Sequence, residues 1–221
     1  MLVAESLPLL LLDDEAGTSA WVTGRDAALA GALLLDLLAA ELLDEADGKL
    51  VVTGAEPEAP ALAAAWRVLS ASEPRKVKHW IDKLPGKLKP IKGTIAQDLV
   101  ARGVLDERRH KTLGLFGSTR YPELDPGPEQ HLRAALRAVL VDGFEPDPNV
   151  AALLALVVPL DMIKRVVERD ERKAAKARAK EVADRGPVGG AVRAAVQEQI
   201  TAAIIAGVAA ATASTAAGSA S

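Results

Sequence analysis

The chain has 221 residues, and its 27 basic and 30 acidic residues leave a net charge of −3, so it can attract an anionic partner only where basic residues are concentrated. Hydrophobic residues make up 49% of the chain but aromatic residues only 3%, which indicates a core of Leu, Ala and Val and a mainly helical protein. The absence of cysteine excludes disulfides and thiolate metal sites and fits a reducing cytoplasm.

The two apolar runs of the chain are not typical of a signal peptide or a membrane span. The N-terminal run lacks a basic segment and contains Glu5. The run over residues 200–213 is shorter than the roughly 17–25 residues that a spanning helix needs. We therefore expect a cytoplasmic protein that contacts the cytoplasmic face of a membrane only peripherally.

The first half of the chain is predicted to be helical with one short strand. Thr23 is the expected N-cap of the longest helix, because Asp26 follows three residues later. Pro85, Gly86 and Pro90 favour a loop between two later helices. The elements predicted for this half are helices over residues 7–12 and 23–43, a strand over 50–53, and helices over 60–71, 72–84 and 90–102.

The second half is predicted to contain a β-hairpin followed by helices. Gly103 ends the preceding helix, and the hairpin arms are expected near residues 111–116 and 120–124, around Gly117 and Ser118. We expect one helical domain over residues 1–211, from which the hairpin protrudes, and a disordered Ala/Ser/Thr-rich tail over 212–221. The later helices are predicted over residues 128–142, 148–157, 159–183 and 192–211.

The positive charge of this acidic protein is concentrated in one segment, residues 75–92, which we call the basic segment. It contains seven Lys or Arg residues and one acid, Asp82, with Trp80 in its middle. A local excess of this kind predicts an anionic partner. The seven basic residues are Arg75, Lys76, Lys78, Lys83, Lys87, Lys89 and Lys92.

No pattern in the sequence indicates an enzyme, a cofactor or a metal. The three histidines lack paired-ligand spacing, and the glycine-rich residues 186–190 lack the Lys-Ser/Thr of a phosphate-binding loop. The helix and hairpin over residues 95–123 also have the layout of a winged helix, which keeps a DNA-binding alternative open. The acidic composition favours packing or self-association of this unit over nucleic-acid binding.

The tryptophans divide into two groups. Trp66 and Trp80 lie at helical spacing within apolar faces and are expected in the core. Trp21 lies in a predicted loop before a helix. It either caps the core or presents its indole to a membrane interface, where the ring and its N–H are both satisfied.

Four stretches resemble the Golgi phosphoprotein 3 family in the same order. They are LVAESLPLLLLDDEAGTSAW, LAGALLLDLLAAELL, SEPRKVKHWIDKL and IAQDLVARGVL. The resemblance extends over residues 2–210. It implies a helical domain with a protruding hairpin and peripheral membrane binding through the headgroup of phosphatidylinositol 4-phosphate. The chain begins at this domain, so we expect a bacterial member without the family's coatomer-binding tail.

The resemblance also implies a headgroup site made of a loop tryptophan and three arginines. The tryptophan corresponds to Trp21, and two arginines fall on Lys89 and Lys92. The third falls on Ala30, and Arg25, earlier in the same predicted helix, is the candidate to replace it. Lysine lacks the planar fork with which arginine holds phosphate, so these differences affect lipid specificity more than anion binding.

We therefore expect a non-enzymatic protein that binds anionic, phosphoinositide-like phospholipid. The hairpin residues Leu113, Leu115 and Phe116 are candidates for membrane insertion or for self-association into a homo-oligomer. One alternative is a scaffold that binds the cytoplasmic tails of membrane enzymes, and another is the winged-helix DNA-binding protein. We expect no nucleic-acid partner.

Overall fold

A computed structural model describes residues 1–13, 18–19, 23–112, 116–185, 192, 194–195 and 197–198. Within these residues the fold is mainly helical, as predicted, with eight α-helices and three two-stranded antiparallel sheets. The helices are α1 Val3–Leu11, α2 Arg25–Ala39, α3 Pro60–Ser70, α4 Val77–Lys87, α5 Ile91–Ala101, α6 Gly127–Leu140, α7 Pro148–Val157 and α8 Arg172–Arg185. The strands are β1 Leu12–Asp13, β2 Thr18–Ser19, β3 Leu43–Ala46, β4 Lys49–Val52, β5 Arg108–Thr112 and β6 Phe116–Arg120.

Helices α1 and α2 form the centre of the core. Every residue of α1 is buried, and α2 contacts α1, α3, α4, α5 and α7. The leucines of α2 that recur near the helical period, such as Leu29, Leu33 and Leu37, are at most 1% exposed. Their burial on all sides explains why so few aromatic residues are needed, since leucine and alanine side chains fill the space between closely packed helices.

Helix α2 differs from the prediction at both ends. Gly24, and not Thr23, is the N-cap of the helix. Its φ of +81° is one that glycine adopts without strain. The helix ends at Ala39 because the chain then enters β3, the partner of the predicted strand β4. Asp47 and Gly48, both with positive φ, join the two strands. The Asp-Gly pair is a hairpin signal that the prediction missed.

Helix α4 runs past the proline that was predicted to end it. Pro85 lies inside the helix, which continues to Lys87. Leu84 and Leu88, one turn apart, are both buried, and the amide of Leu88 donates to the carbonyl of Leu84 over 2.9 Å. The burial of this apolar face outweighs the hydrogen bond that proline cannot make.

The protruding hairpin is present, but its register differs from the prediction. Strands β5 and β6 pair Arg108 with Arg120 and Thr112 with Phe116. The predicted turn residues Gly117 and Ser118 therefore lie inside β6. The predicted helix over residues 159–183 is also interrupted, because the chain forms a short 3-10 turn at Ile163–Arg165 before α8 begins. Buried Met162, Val166 and Val167 hold this irregular stretch against the core.

Among the described residues, no helix is both long enough and apolar enough to span a membrane.

Two buried carboxylates cap helices from neighbouring elements. Asp36 of α2 accepts hydrogen bonds from the amides of Val3 and Ala4, over 2.9 and 2.8 Å, at the start of α1. Asp98 of α5 accepts from Ala61 in the first turn of α3 over 3.1 Å. Free amides and the helix dipole both favour negative charge at a helix N-terminus. These carboxylates therefore fix how the helices meet.

We expect the stability of the protein to depend on the ionisation of Asp36. Desolvation by burial raises the pKa of Asp36 from 3.8 to about 6, although its two amide hydrogen bonds oppose the shift. A carboxyl whose pKa is raised by folding stabilises the native state fully below pH 3.8 and loses that contribution as the pH rises through 6. The wild type should therefore lose about 2 kcal/mol relative to Asp36→Asn between pH 4 and 7.

Urea unfolding of the wild type and of Asp36→Asn across this pH range measures the difference between their unfolding free energies. Groups that titrate alike in both proteins do not contribute to this difference. A difference in unfolding free energy that is constant with pH would contradict the assignment.

Candidate functional site

The basic segment separates into two structural parts. The first part forms α4, in which Trp80 is 1% exposed and belongs to the core, as predicted. Two of its cations have acidic partners, since Arg75 pairs with Glu73 over 3.1 Å and Lys78 with Glu198 over 3.1 Å. Both ion pairs are exposed to solvent, so they lower the net positive charge of this part, whose apolar side chains belong to the core.

The second part runs from the last turns of α4 to the first turn of α5. Its positive charges have no acidic partner among the described residues. Lys83, Lys87 and Lys89 are exposed, and Lys92 lies in the first turn of α5, partly buried. Within the described ranges, none of these four lysines forms an ion pair. Uncompensated positive charge of this density at one connection is a property of surfaces that bind anions.

The ammonium of Lys92 is held in a defined place. Its Nζ lies 5.4 Å from the centre of the Tyr121 ring, a cation–π contact. Tyr121 follows β6 directly and is 5% exposed. Gly93 permits the ring to approach, since a Cβ atom there would lie 3.2 Å from the Tyr121 hydroxyl and 3.0 Å from Pro90. Tyr121, the only tyrosine in the chain, was not among the predicted site residues.

Arg25 of α2 adds a second positive charge beside Lys92. Burial lowers the pKa of Lys92, and the positive charge of Arg25 lowers it further. The Nε of Arg25 donates to Asp26 over 2.8 Å, which leaves the terminal nitrogens of its guanidinium for another acceptor. Two cations held close together repel each other, and an anion bound between them would remove that repulsion.

Ala30, the position expected for a third cation, lies in the core. It is fully buried within α2, whereas Arg25 in the first turn of the same helix is half-buried. The cation that α2 places near Lys92 is therefore Arg25.

The other predicted site residues lie partly outside the described part of the chain. Trp21 is outside it, four residues before Arg25, and so are Leu113 and Leu115. Phe116 is the first residue of β6. The contribution of these four residues to a site therefore stays a prediction.

Replacing Arg25 should raise the pKa of Lys92 if the two charges interact. Arg25→Gln removes the positive charge but keeps a polar side chain of similar length. The pKa of Lys92 can be followed by NMR of the ¹³C-methylated amine. We expect it to move upward in Arg25→Gln and to stay unchanged in Arg169→Gln, which removes an exposed arginine elsewhere. An unchanged pKa of Lys92 in Arg25→Gln would show that the two groups are too far apart to share an anion.

The described cations of the site are one guanidinium and several ammonium groups, which are hydrogen-bond donors that suit an anionic acceptor such as a phosphate. In the part of the chain that the structure describes, no group of three or more His, Asp or Glu side chains is placed to hold a metal ion.

One comparison with known proteins finds a matching family. A family model described as Golgi phosphoprotein 3 (GPP34) matches residues 3–199. A search of curated proteins finds no match. The matched residues include all eight helices and the hairpin strands.

Proposed function

Since the chain belongs to the Golgi phosphoprotein 3 (GPP34) family, we propose that it is a peripheral membrane-binding protein, not an enzyme, that recognises anionic phospholipid headgroups. We assign the headgroup site to Trp21, Arg25, Lys89 and Lys92. Phosphoinositides are the expected ligands because their headgroups carry phosphate beyond the phosphodiester.

The observation that carries this proposal is the position of Lys92, whose ammonium lies against the Tyr121 ring and within reach of the charge of Arg25, with no acid paired to it among the described residues. Arg25 supplies a planar fork, and the lysines supply point charges. Each basic residue near an anionic surface contributes up to about 1 kcal/mol of binding, less at high salt. Arg25, Lys89 and Lys92 would therefore give reversible and salt-sensitive attachment.

Vesicle flotation tests the proposal. The wild type should float with phosphatidylcholine vesicles that contain phosphatidylinositol 4-phosphate more than with phosphatidylserine vesicles of equal total charge. Equal binding to both would show that a basic surface attracts anionic vesicles non-specifically and that the headgroup is not recognised. Absence of binding to either, together with capture of cytoplasmic tails of membrane enzymes, would favour the scaffold alternative.

A further inference from the structure

Two arginines face each other at the foot of the hairpin. Arg108 of β5 and Arg120 of β6 are direct cross-strand partners. Side chains of such partners lie on the same face of the ribbon, with their Cβ atoms about 5 Å apart. Like charges in this position destabilise a strand pair. The arrangement costs the hairpin stability unless an anion compensates it.

The available acids compensate only one of these charges. Arg108 donates from Nε to Asp106 over 2.8 Å, and its side chain is still 68% exposed. Arg120 has no acidic partner among the residues that the structure describes. The contact through Nε fixes the guanidinium of Arg108 and leaves its terminal nitrogens for a second acceptor.

The arginine pair is close in the chain to the proposed headgroup site. Arg120 immediately precedes Tyr121, whose ring lies against the ammonium of Lys92. In the other direction the strands run four residues, about 14 Å, to Thr112 and Phe116. Apolar groups that anchor a protein at a membrane interface enter it by about 5–10 Å. If the far end of the hairpin inserts this deep, the arginine pair lies near the level of the lipid phosphates.

We propose that Arg108 and Arg120 form a second anion site, which binds the phosphodiester of a bilayer lipid next to the headgroup site. This inference rests on the proposed function. Arginine forks match phosphate oxygens in two places, and a monoanionic phosphodiester between them would neutralise the excess charge. The site requires no phosphoinositide, so it adds affinity for any phospholipid surface and leaves headgroup selectivity to Arg25, Lys89 and Lys92.

The double variant R108Q/R120Q tests this site on vesicles that contain phosphatidylglycerol. Glutamine keeps polar side chains on the strands and removes both charges. We expect roughly tenfold weaker vesicle binding, since a basic residue near an anionic surface changes affinity by up to about fivefold. Affinity for soluble inositol 1,4-bisphosphate should stay within about twofold, because the headgroup site is intact.

The control is R165Q/R169Q, which removes two exposed arginines outside the hairpin and has the same net charge. Equal losses in both double variants would overturn the proposal, as would an equal loss for the soluble headgroup. Circular dichroism shows whether each variant is folded. If the double variant is misfolded, R108Q and R120Q take its place, and each should bind phosphatidylglycerol vesicles more weakly than the wild type, by less than the tenfold expected of the double variant. Failure of K89A/K92A to reduce headgroup binding would instead count against the proposed function, whatever the hairpin variants do.

Discussion

Replacement of Arg25, Lys89 and Lys92 together by alanine is expected to weaken binding to phosphoinositide vesicles about 100-fold. Each charge contributes up to about 1 kcal/mol near an anionic surface, which is about fivefold per residue. Arg25 and Lys92 lie beside each other on α2 and α5, so their effects should not be additive, because loss of one relieves the repulsion felt by the other. Vesicle flotation and titration with the soluble headgroup both measure the loss.

The matched control removes three basic residues of the same segment and leaves the proposed site intact. Lys76, Lys83 and Lys87 are exposed, and no acid pairs with them in the part of the chain that the structure describes. The variant K76A/K83A/K87A should lose less vesicle affinity than the first variant, because these lysines contribute only general attraction to an anionic surface. It should keep its affinity for the soluble headgroup. If both triple variants lose affinity equally, the basic segment acts as a diffuse charge and contains no defined site.

Trp80→Ala should destabilise the protein by about 4 kcal/mol, the largest effect on stability expected within the basic segment. Trp80 is 1% exposed and contacts the ring of His79 edge-on, with 5.2 Å between ring centres. Truncation would leave a cavity where α4 packs on α2. Urea unfolding should show a lower midpoint with little change in the denaturant dependence.

Trp80→Phe is the conservative comparison and should cost less than half as much, because most of the apolar volume remains. At low temperature, where Trp80→Ala is still folded, its headgroup affinity should stay within about twofold of the wild type. A stable Trp80→Ala protein that no longer binds vesicles would place Trp80 in the binding site and not in the core.

The fold class could be predicted from the sequence because helix periodicity and composition are local properties. The bounds of α3, α5 and α7 are close to the predicted ones for the same reason. Errors arose where tertiary packing overrode a local signal. Pro85 did not stop α4, since Leu84 and Leu88 are buried on one face, and the hairpin register moved because Gly117 and Ser118 pair within β6.

The candidate site could be predicted only in part. The excess charge of Lys89 and Lys92 is visible in the sequence, but that no described acid pairs with them depends on where distant helices place their carboxylates. Arg25 and Lys92 are 67 positions apart in the chain, so no local sequence pattern predicts that their charges interact. The support of Lys92 by Tyr121 likewise depends on how the end of β6 meets α5.

We propose that Trp21 completes a headgroup site with Arg25, Lys89 and Lys92. The chain has three tryptophans, so its indole N–H groups give three NMR signals, which Trp21→Phe assigns. Titration with inositol 1,4-bisphosphate should shift the Trp21 signal, leave those of Trp66 and Trp80 in place, and have no effect in Lys89→Ala/Lys92→Ala. An unmoved Trp21 signal at saturating headgroup, or a shift that persists without the two lysines, would contradict the assignment.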